Sequence, residues 1–320
     1  MHDGVNMSEK SADVRRGDDR DNILECIVIG AGPAGLTAGI YLQRFLRRCL
    51  VFDAGSGRAA TIPRSHNLPG FPGGLSGVEL LARLETQLQE FGGHVIRAEV
   101  DSIALSDERF AVFCEGVAYR SRSVVLATGV VNHKPNMPEA MHVIGVSQGL
   151  IRYCPVSDGY EARRSSIAVL GADEHGAAEA LFLRSYGAAV TLLVQHSLDL
   201  PADDLQALAR AGIDVVEEPI EHFQLAATAI EVSWRSGRRQ SFGTLYPALG
   251  STSRTKLAVQ LGAKLSDQGS LVTDKHQRTS IPGFYAIGDV VEGLGQICVA
   301  TGQAAIAATA IHNDLLERGR

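Results

Sequence analysis

Three reactive side chains crowd the stretch Arg152–Glu161, "RYCPVSDGYE". Cys154 carries a thiol, Ser157 a hydroxyl three residues on, and Asp158 a carboxyl beside it. A cysteine at 157 would make this a redox CxxC followed by an acid able to shuttle a proton. With serine there, no disulfide can form. A hydroxyl is also too weak an acid to attack without a base. Cys154 alone could still form a mixed disulfide, a sulfenate or a persulfide, or could pack as a small hydrophobe. A turn of helix expected nearby would stabilise its thiolate. Asp158 could serve another proton transfer or cap a turn.

A second chemistry is written in glycines. Residues 30–35 read "GAGPAG", with Gly30, Gly32 and Gly35 in GxGxxG spacing. The first glycine permits a tight turn, the second lets backbone approach a pyrophosphate, and the third lets helix and strand pack closely. Pro33 and Ala34 open the helix, whose N-terminus faces negative charge. Asp53 follows Gly30 by 23 residues, where an acid binds ribose hydroxyls. The combination points to a dinucleotide.

These groups need a scaffold, and the apolar pattern supplies one. An apolar run ends at Gly30, helix-like sequence spans Pro33 to about Arg47, and a second run ends at Asp53, giving strand–turn–helix–strand. A second such unit begins at Ser166. An offset of 141 sets Gly30 on Gly171, Gly35 on Gly176 and Leu42 on Leu183, an internal repeat that implies two nucleotide-binding-type domains. Between the units lie a helix-like stretch, Gly77 to Phe91, and alternating runs that read as an antiparallel meander, with 124–127 as a buried strand. Short strands such as "DVVEEPI" follow the second unit, and an Ala-rich helix from about Gln296 to Leu316 closes the chain.

The second glycine turn is altered. It reads "GADEHG", so Asp173 replaces the glycine that would touch pyrophosphate, and Glu174 adds a second negative charge. Asp173 can cap the helix and Glu174 suits its dipole, which fills the anion site with the protein's own carboxylates. The counterpart of Asp53 is Val194, followed by Gln195, His196 and Ser197. Neither the acid that suits NADH nor the arginine that suits NADPH stands there, and weak or absent nicotinamide nucleotide binding follows.

Composition closes off other classes. The chain has 320 residues, 45% hydrophobic and 21% charged, with a net charge of −6 and no basic stripe, so nucleic acid is not an expected partner. No apolar run is long enough to span a bilayer. Residues 1–22 are polar without an apolar h-region and read as a disordered tail on a cytoplasmic protein. Five scattered cysteines argue against a disulfide scaffold, and no paired His or Cys spacing suggests a metal. His66 and His175 are candidates of lower rank, and Trp234 reads as packing.

From about Leu24 to the last helix the chain resembles the low-molecular-weight thioredoxin reductases. The resemblance rests on "GAGPAG", "HNLPGFPGGLSGVELL", "VVLATG", "YCPVSDG", "EALFLR", "TSIPGFYAIGDV" and "GQAAIAA", in that order. It implies an α/β fold with two Rossmann-like, three-layer ββα domains, the second inserted in the first. An FAD-binding domain would span 23–138 and 251–320, with a degenerate NAD(P)-binding-like domain at 139–250. It also implies a homodimer and FAD. By that resemblance, pyrophosphate lies on Gly30, Gly32 and Gly35, and ribose on Asp53. The turn at Gly57 and Arg58, together with Asn67, approaches the cofactor. Ala127, Thr128 and Gly129 lie beside it, Asp289 bonds the ribityl–phosphate region, and the backbone at Gln296 and Ile297 meets the flavin ring. The family's flavin-side cysteine is Ser157 here, its nicotinamide motif is "GADEHG", its HRR arginines are missing, and its Arg-Gln pair is Gly295-Gln296.

Three readings stay open. The first is an FAD-dependent oxidoreductase whose electron donor or acceptor differs from the family's, such as a ferredoxin- or thioredoxin-like protein, a second flavin, a quinone or oxygen. The second is an NAD(P)H-dependent flavoprotein reductase that lost only the disulfide step. The third is a non-catalytic flavin-binding regulatory protein.

Overall fold

The computed structural model describes residues 23–195 and 197–318. The 1–22 segment and His196 lie outside those residues. The first domain is built on a five-stranded parallel sheet. Its centre is Cys26–Ile29, flanked by Cys49–Phe52 and Val124–Leu126, with Val95–Ile96 and Phe284–Ala286 at the edges. The run Cys-Ile-Val-Ile is buried on both faces, as a central parallel strand must be. Cys26 and Val28 face helices Pro33–Arg44, Gly77–Glu90 and Ile297–Arg318. Ile27 and Ile29 face the other way, onto the antiparallel meander Ser102–Ser106, Arg109–Cys114 and Val117–Ser121. This gives three layers. The middle strand of the meander, Arg109–Cys114, sets every second residue in the core, because only one of its faces meets it.

The second domain repeats the plan on a smaller scale. Ser166–Leu170 lies between Ala189–Leu193 and Thr244–Pro247, with Asp214–Val216 outside, all parallel. Helix Glu174–Arg184 covers one face, and the meander Ile220–Leu225, Ile230–Trp234 and Arg239–Phe242 covers the other. Trp234 is fully buried in that meander. The "DVVEEPI" run divides between the parallel strand Asp214–Val216 and the first meander strand. The chain passes between domains through a two-stranded ribbon, Val130–Asn132 against Ser251–Ser253. His133 ties it at both ring nitrogens, to the Leu249 carbonyl and the Thr252 hydroxyl, each at 2.8 Å.

Two expected boundaries move. The first helix ends at Arg44 rather than about Arg47. Leu46 takes a left-handed φ of 58°, and the Arg47 N–H returns to the Leu42 carbonyl at 3.0 Å, a closing pattern that stops the helix. The closing helix runs Ile297–Arg318, starting just after Gln296.

Candidate active site

One cavity of about 700 Å³ runs from the first glycine turn to Cys154. Gly30, Gly32, Pro33, Ala34, Asp53, Gly57, Arg58, Asn67, Ala127, Thr128, Gly129, Asp289, Gln296 and Ile297 all line it, as do Cys154, Ser157 and Asp158. Gly35 does not. A Cβ there would sit 1.7 Å from the Gly30 carbonyl oxygen, so its glycine serves the crossing of helix and strand. Gly30 has φ +107°, and a Cβ would meet the Ala127 carbonyl oxygen at 2.3 Å. Gly32 differs from both, because a Cβ there would meet no atom within 4 Å. No packing demand explains glycine at 32, and the open space belongs to the cavity.

The helix that begins at Pro33 has no side-chain cap and no acidic residue in its first turn. Its first N–H groups therefore keep their need for an acceptor and carry the positive end of the helix dipole. That is a seat for a pyrophosphate. Asp53 stands at the end of the second strand. Its Oδ1 accepts from Ala31 N–H at 3.3 Å and its Oδ2 from Arg97 at 2.7 Å, which fixes the carboxylate beside the turn. Farther along, Arg58 bridges Asp289 at 2.7 Å and Asn132 at 3.0 Å. Thr128 and Arg254 close the wall by bonding each other's backbone. An uncapped helix N-terminus, a carboxylate at a strand end and a long cavity ending in polar groups could hold a flavin dinucleotide.

At the far end, four residues from three remote segments converge. Gln296 Nε2 donates to Cys154 Sγ at 3.1 Å and to Ser157 Oγ at 3.2 Å. Gln296 Oε1 accepts from Asn67 Nδ2 at 2.8 Å. Cys154 is the N-cap residue of helix Pro155–Ala162, as the expected helical turn required. An amide donor thus meets the sulfur at the N-terminus of that helix. Ser157 occupies the second sulfur's place and shares the same amide donor.

Asp158 is held on its other side. Its Oδ1 accepts from the Tyr246 hydroxyl at 2.7 Å, and its Oδ2 pairs with Arg152 at 3.2 Å. Burial raises its pKa above the ordinary carboxylate value, although Arg152 and Tyr246 pull the other way. Tyr246 is pushed upward by burial and by the Asp158 charge, so it stays a donor. His66 pairs with Glu161 at 3.4 Å, linking a loop of the first domain to the Cys154 helix. His175 is exposed and stands 3.4 Å from Glu179.

The second glycine turn is built differently. Gly171 and Gly176 keep the close helix–strand approach, with each added Cβ within 3.0 Å of the other's backbone. Asp173 caps helix Glu174–Arg184 by accepting from Gly176 N–H at 3.1 Å, and Glu174 lies in the first turn. The chain after the next strand folds over this turn, with Asp199 N–H on the Ala172 carbonyl at 2.7 Å. The turn lines no part of the cavity.

Sequence reasoning singled out the cavity residues but missed Arg152, Glu161, Glu179 and Tyr246. Only Glu179 left a readable signal. It lies three residues after Gly176 and four before Leu183, on the buried stripe of its helix.

The profile of the pyridine nucleotide-disulphide oxidoreductase family matches residues 24–304. The chain belongs to that family. A thioredoxin reductase of Schizosaccharomyces pombe is 30% identical over 306 residues, covering 82% of this chain and 88% of its own. The crystal structure of thioredoxin reductase from Streptococcus pyogenes superposes with a TM-score of 0.85 at 27% identity, covering 92% of this chain and 99% of that one. An atypical thioredoxin reductase from Desulfovibrio vulgaris Hildenborough superposes at 0.52 with 29% identity, covering 92% and 98%. The chain is thus a thioredoxin reductase-like oxidoreductase of two Rossmann-like domains, with Ser157 where a CxxC would need sulfur. No helix among the described residues is long and apolar enough to cross a membrane.

Proposed function

We propose that this chain is an FAD-dependent oxidoreductase that exchanges electrons with a partner other than NADPH and without a redox disulfide. FAD, when bound, supplies the acceptor and donor of electron pairs. Gly30, Gly32 and the uncapped helix N-terminus would hold its pyrophosphate, Asp53 its ribose, and Asp289 with Arg58 the ribityl region. Asn67, Gln296 and Ile297 would border the ring. Cys154 serves as a lone thiol beside that ring, positioned by the Gln296 amide, and Asp158 is the nearby acid. The domains divide near 138/139 and 250/251. Further parts of the reading are a homodimer, a cytoplasmic setting and a thioredoxin- or ferredoxin-like redox partner.

One observation carries this reading. At the second turn the Asp173 carboxylate already takes the Gly176 N–H, with Glu174 beside it. A phosphate entering there would have to displace a carboxylate from its cap and bear the repulsion of both acids. Anaerobic absorbance titration of the purified protein tests the reading. A flavin spectrum bleached by dithionite or reduced ferredoxin, and left standing by NADH and NADPH, is expected. Fast bleaching by NADPH would sink it. Bound FAD that no protein or small-molecule partner turns over would favour the regulatory alternative.

A further inference from the structure

Glu179 has no part in the site as described, yet its placement is unusual. It lies in the middle of helix Glu174–Arg184, one turn before Leu183, which packs against Gly159 of helix Pro155–Ala162. Its side chain keeps only 17% of its exposure, and its Oε2 is buried with no hydrogen-bond partner. Its Oε1 lies 3.4 Å from Nε2 of His175, whose side chain is 54% exposed in the altered glycine turn. On the inner side stands Asp158, close enough for its charge to act on Glu179. Asp158 in turn is faced by Arg152, by Glu161 of its own helix and by Tyr246 of the parallel strand. The residues His175, Glu179 and Asp158 thus lead from solvent to the wall of the cavity that holds Cys154.

We propose that Glu179 is a positioning residue that exchanges a proton with Asp158, and that His175 connects it to solvent through the altered turn of the second domain. The step balances simply. Protonated Glu179 passes its proton to the Asp158 carboxylate, becomes a carboxylate, and regains a proton from solvent by way of His175. Oε2, buried and without a hydrogen-bond partner, is the oxygen left free for that exchange. Burial, then the Asp158 charge, raises the Glu179 pKa from 4.5 to about 7, so the proton is available at neutral pH. The offset of the repeat sets Glu179 against Ala38, which is fully buried in the first domain. The second domain has therefore placed a carboxyl where its counterpart buries a methyl group.

The inference rests on the proposed redox role of the Cys154 end, and its test does not need that role. Carbon-13 NMR of the full-length protein labelled at glutamate carboxyls follows each titration, with Glu179→Gln assigning the Glu179 signal. The signal is expected to titrate near pH 7. In Asp158→Asn its midpoint should fall by about one pH unit, because the like charge is gone. A Glu179 midpoint in the ordinary carboxylate range, or one indifferent to Asp158→Asn, overturns the pairing. A second readout is the pH profile of Cys154 alkylation by iodoacetamide, read by mass spectrometry on Cys154 alone. Wild type should show an inflection near neutrality that Glu179→Gln removes. An unchanged profile reduces Glu179 to a packing residue and overturns the proposal, whether or not NADPH bleaches the flavin. For His175, a pH indicator should record at least severalfold slower proton uptake on dithionite reduction in His175→Gln. An unchanged rate overturns the link to solvent.

Discussion

The two glycine turns, 30–35 and 171–176, share a geometry and differ in how the helix N-terminus is capped. Both keep the glycines that let a helix cross a strand at close range. Only the first keeps the middle glycine, and only there is the helix left without a cap. Two kinds of glycine are thus separable. Gly30, Gly35, Gly171 and Gly176 answer to neighbouring backbone, while Gly32, where an added Cβ would meet no protein atom within 4 Å, faces the cavity. At the matching position of the second turn stands Asp173, which caps its helix by accepting from Gly176 N–H.

Glycine substitutions break this comparison most sharply. Gly35→Ala drives a methyl onto the Gly30 carbonyl and should cost about 3 kcal/mol or more, read as loss of the folding transition in thermal denaturation. Gly32→Ala should leave the melting curve of the cofactor-free protein nearly unchanged, since no protein atom is close. It should instead weaken FAD binding about tenfold, or ~1.4 kcal/mol, by fluorescence titration. Equal losses of stability in the two variants would erase the distinction.

Glu179 extends the comparison beyond the turns. Its folded pKa lies above its unfolded value, so the stability it contributes is complete below the unfolded carboxylate pKa and is lost as pH rises through about 7. Charging it inside the packed helices should therefore cost on the order of 2–3 kcal/mol. Glu179→Gln should raise the melting temperature at about pH 8 and change it little at about pH 5. The smallest expected effect belongs to the cap. Asp173→Ala should lower stability by about 1 kcal/mol, and Asp173→Gly by only a few tenths, in chemical denaturation. Neither should create NADPH-dependent bleaching, since Glu174 and the missing cationic residues remain.

The first turn was legible in the sequence because its physics is local. Strand, glycine spacing, helix and acid all fall within Cys26–Asp53. The inserted second domain was legible because the same pattern recurs at a fixed offset, and the Asp173 cap because a carboxylate at that position has an obvious N–H to bond. The end of the cavity was not legible in detail. Asn67, Cys154, Ser157 and Gln296 meet only after two domains and the last helix assemble, and no local pattern encodes that meeting. Tyr246 was hidden because it reaches Asp158 from a strand 88 residues away, and Arg152 because no local pattern says that a residue six positions earlier turns back onto that carboxylate.

We propose that the first turn takes a dinucleotide and the second does not. Equilibrium titration of the FAD-loaded protein with NADPH under anaerobic conditions, followed by calorimetry, tests it most directly. No saturable heat is expected up to about 1 mM NADPH, the upper end of ordinary enzyme substrate affinities. Saturable one-to-one binding in the micromolar range would contradict it, and would place a nicotinamide nucleotide on the turn that Asp173 now caps.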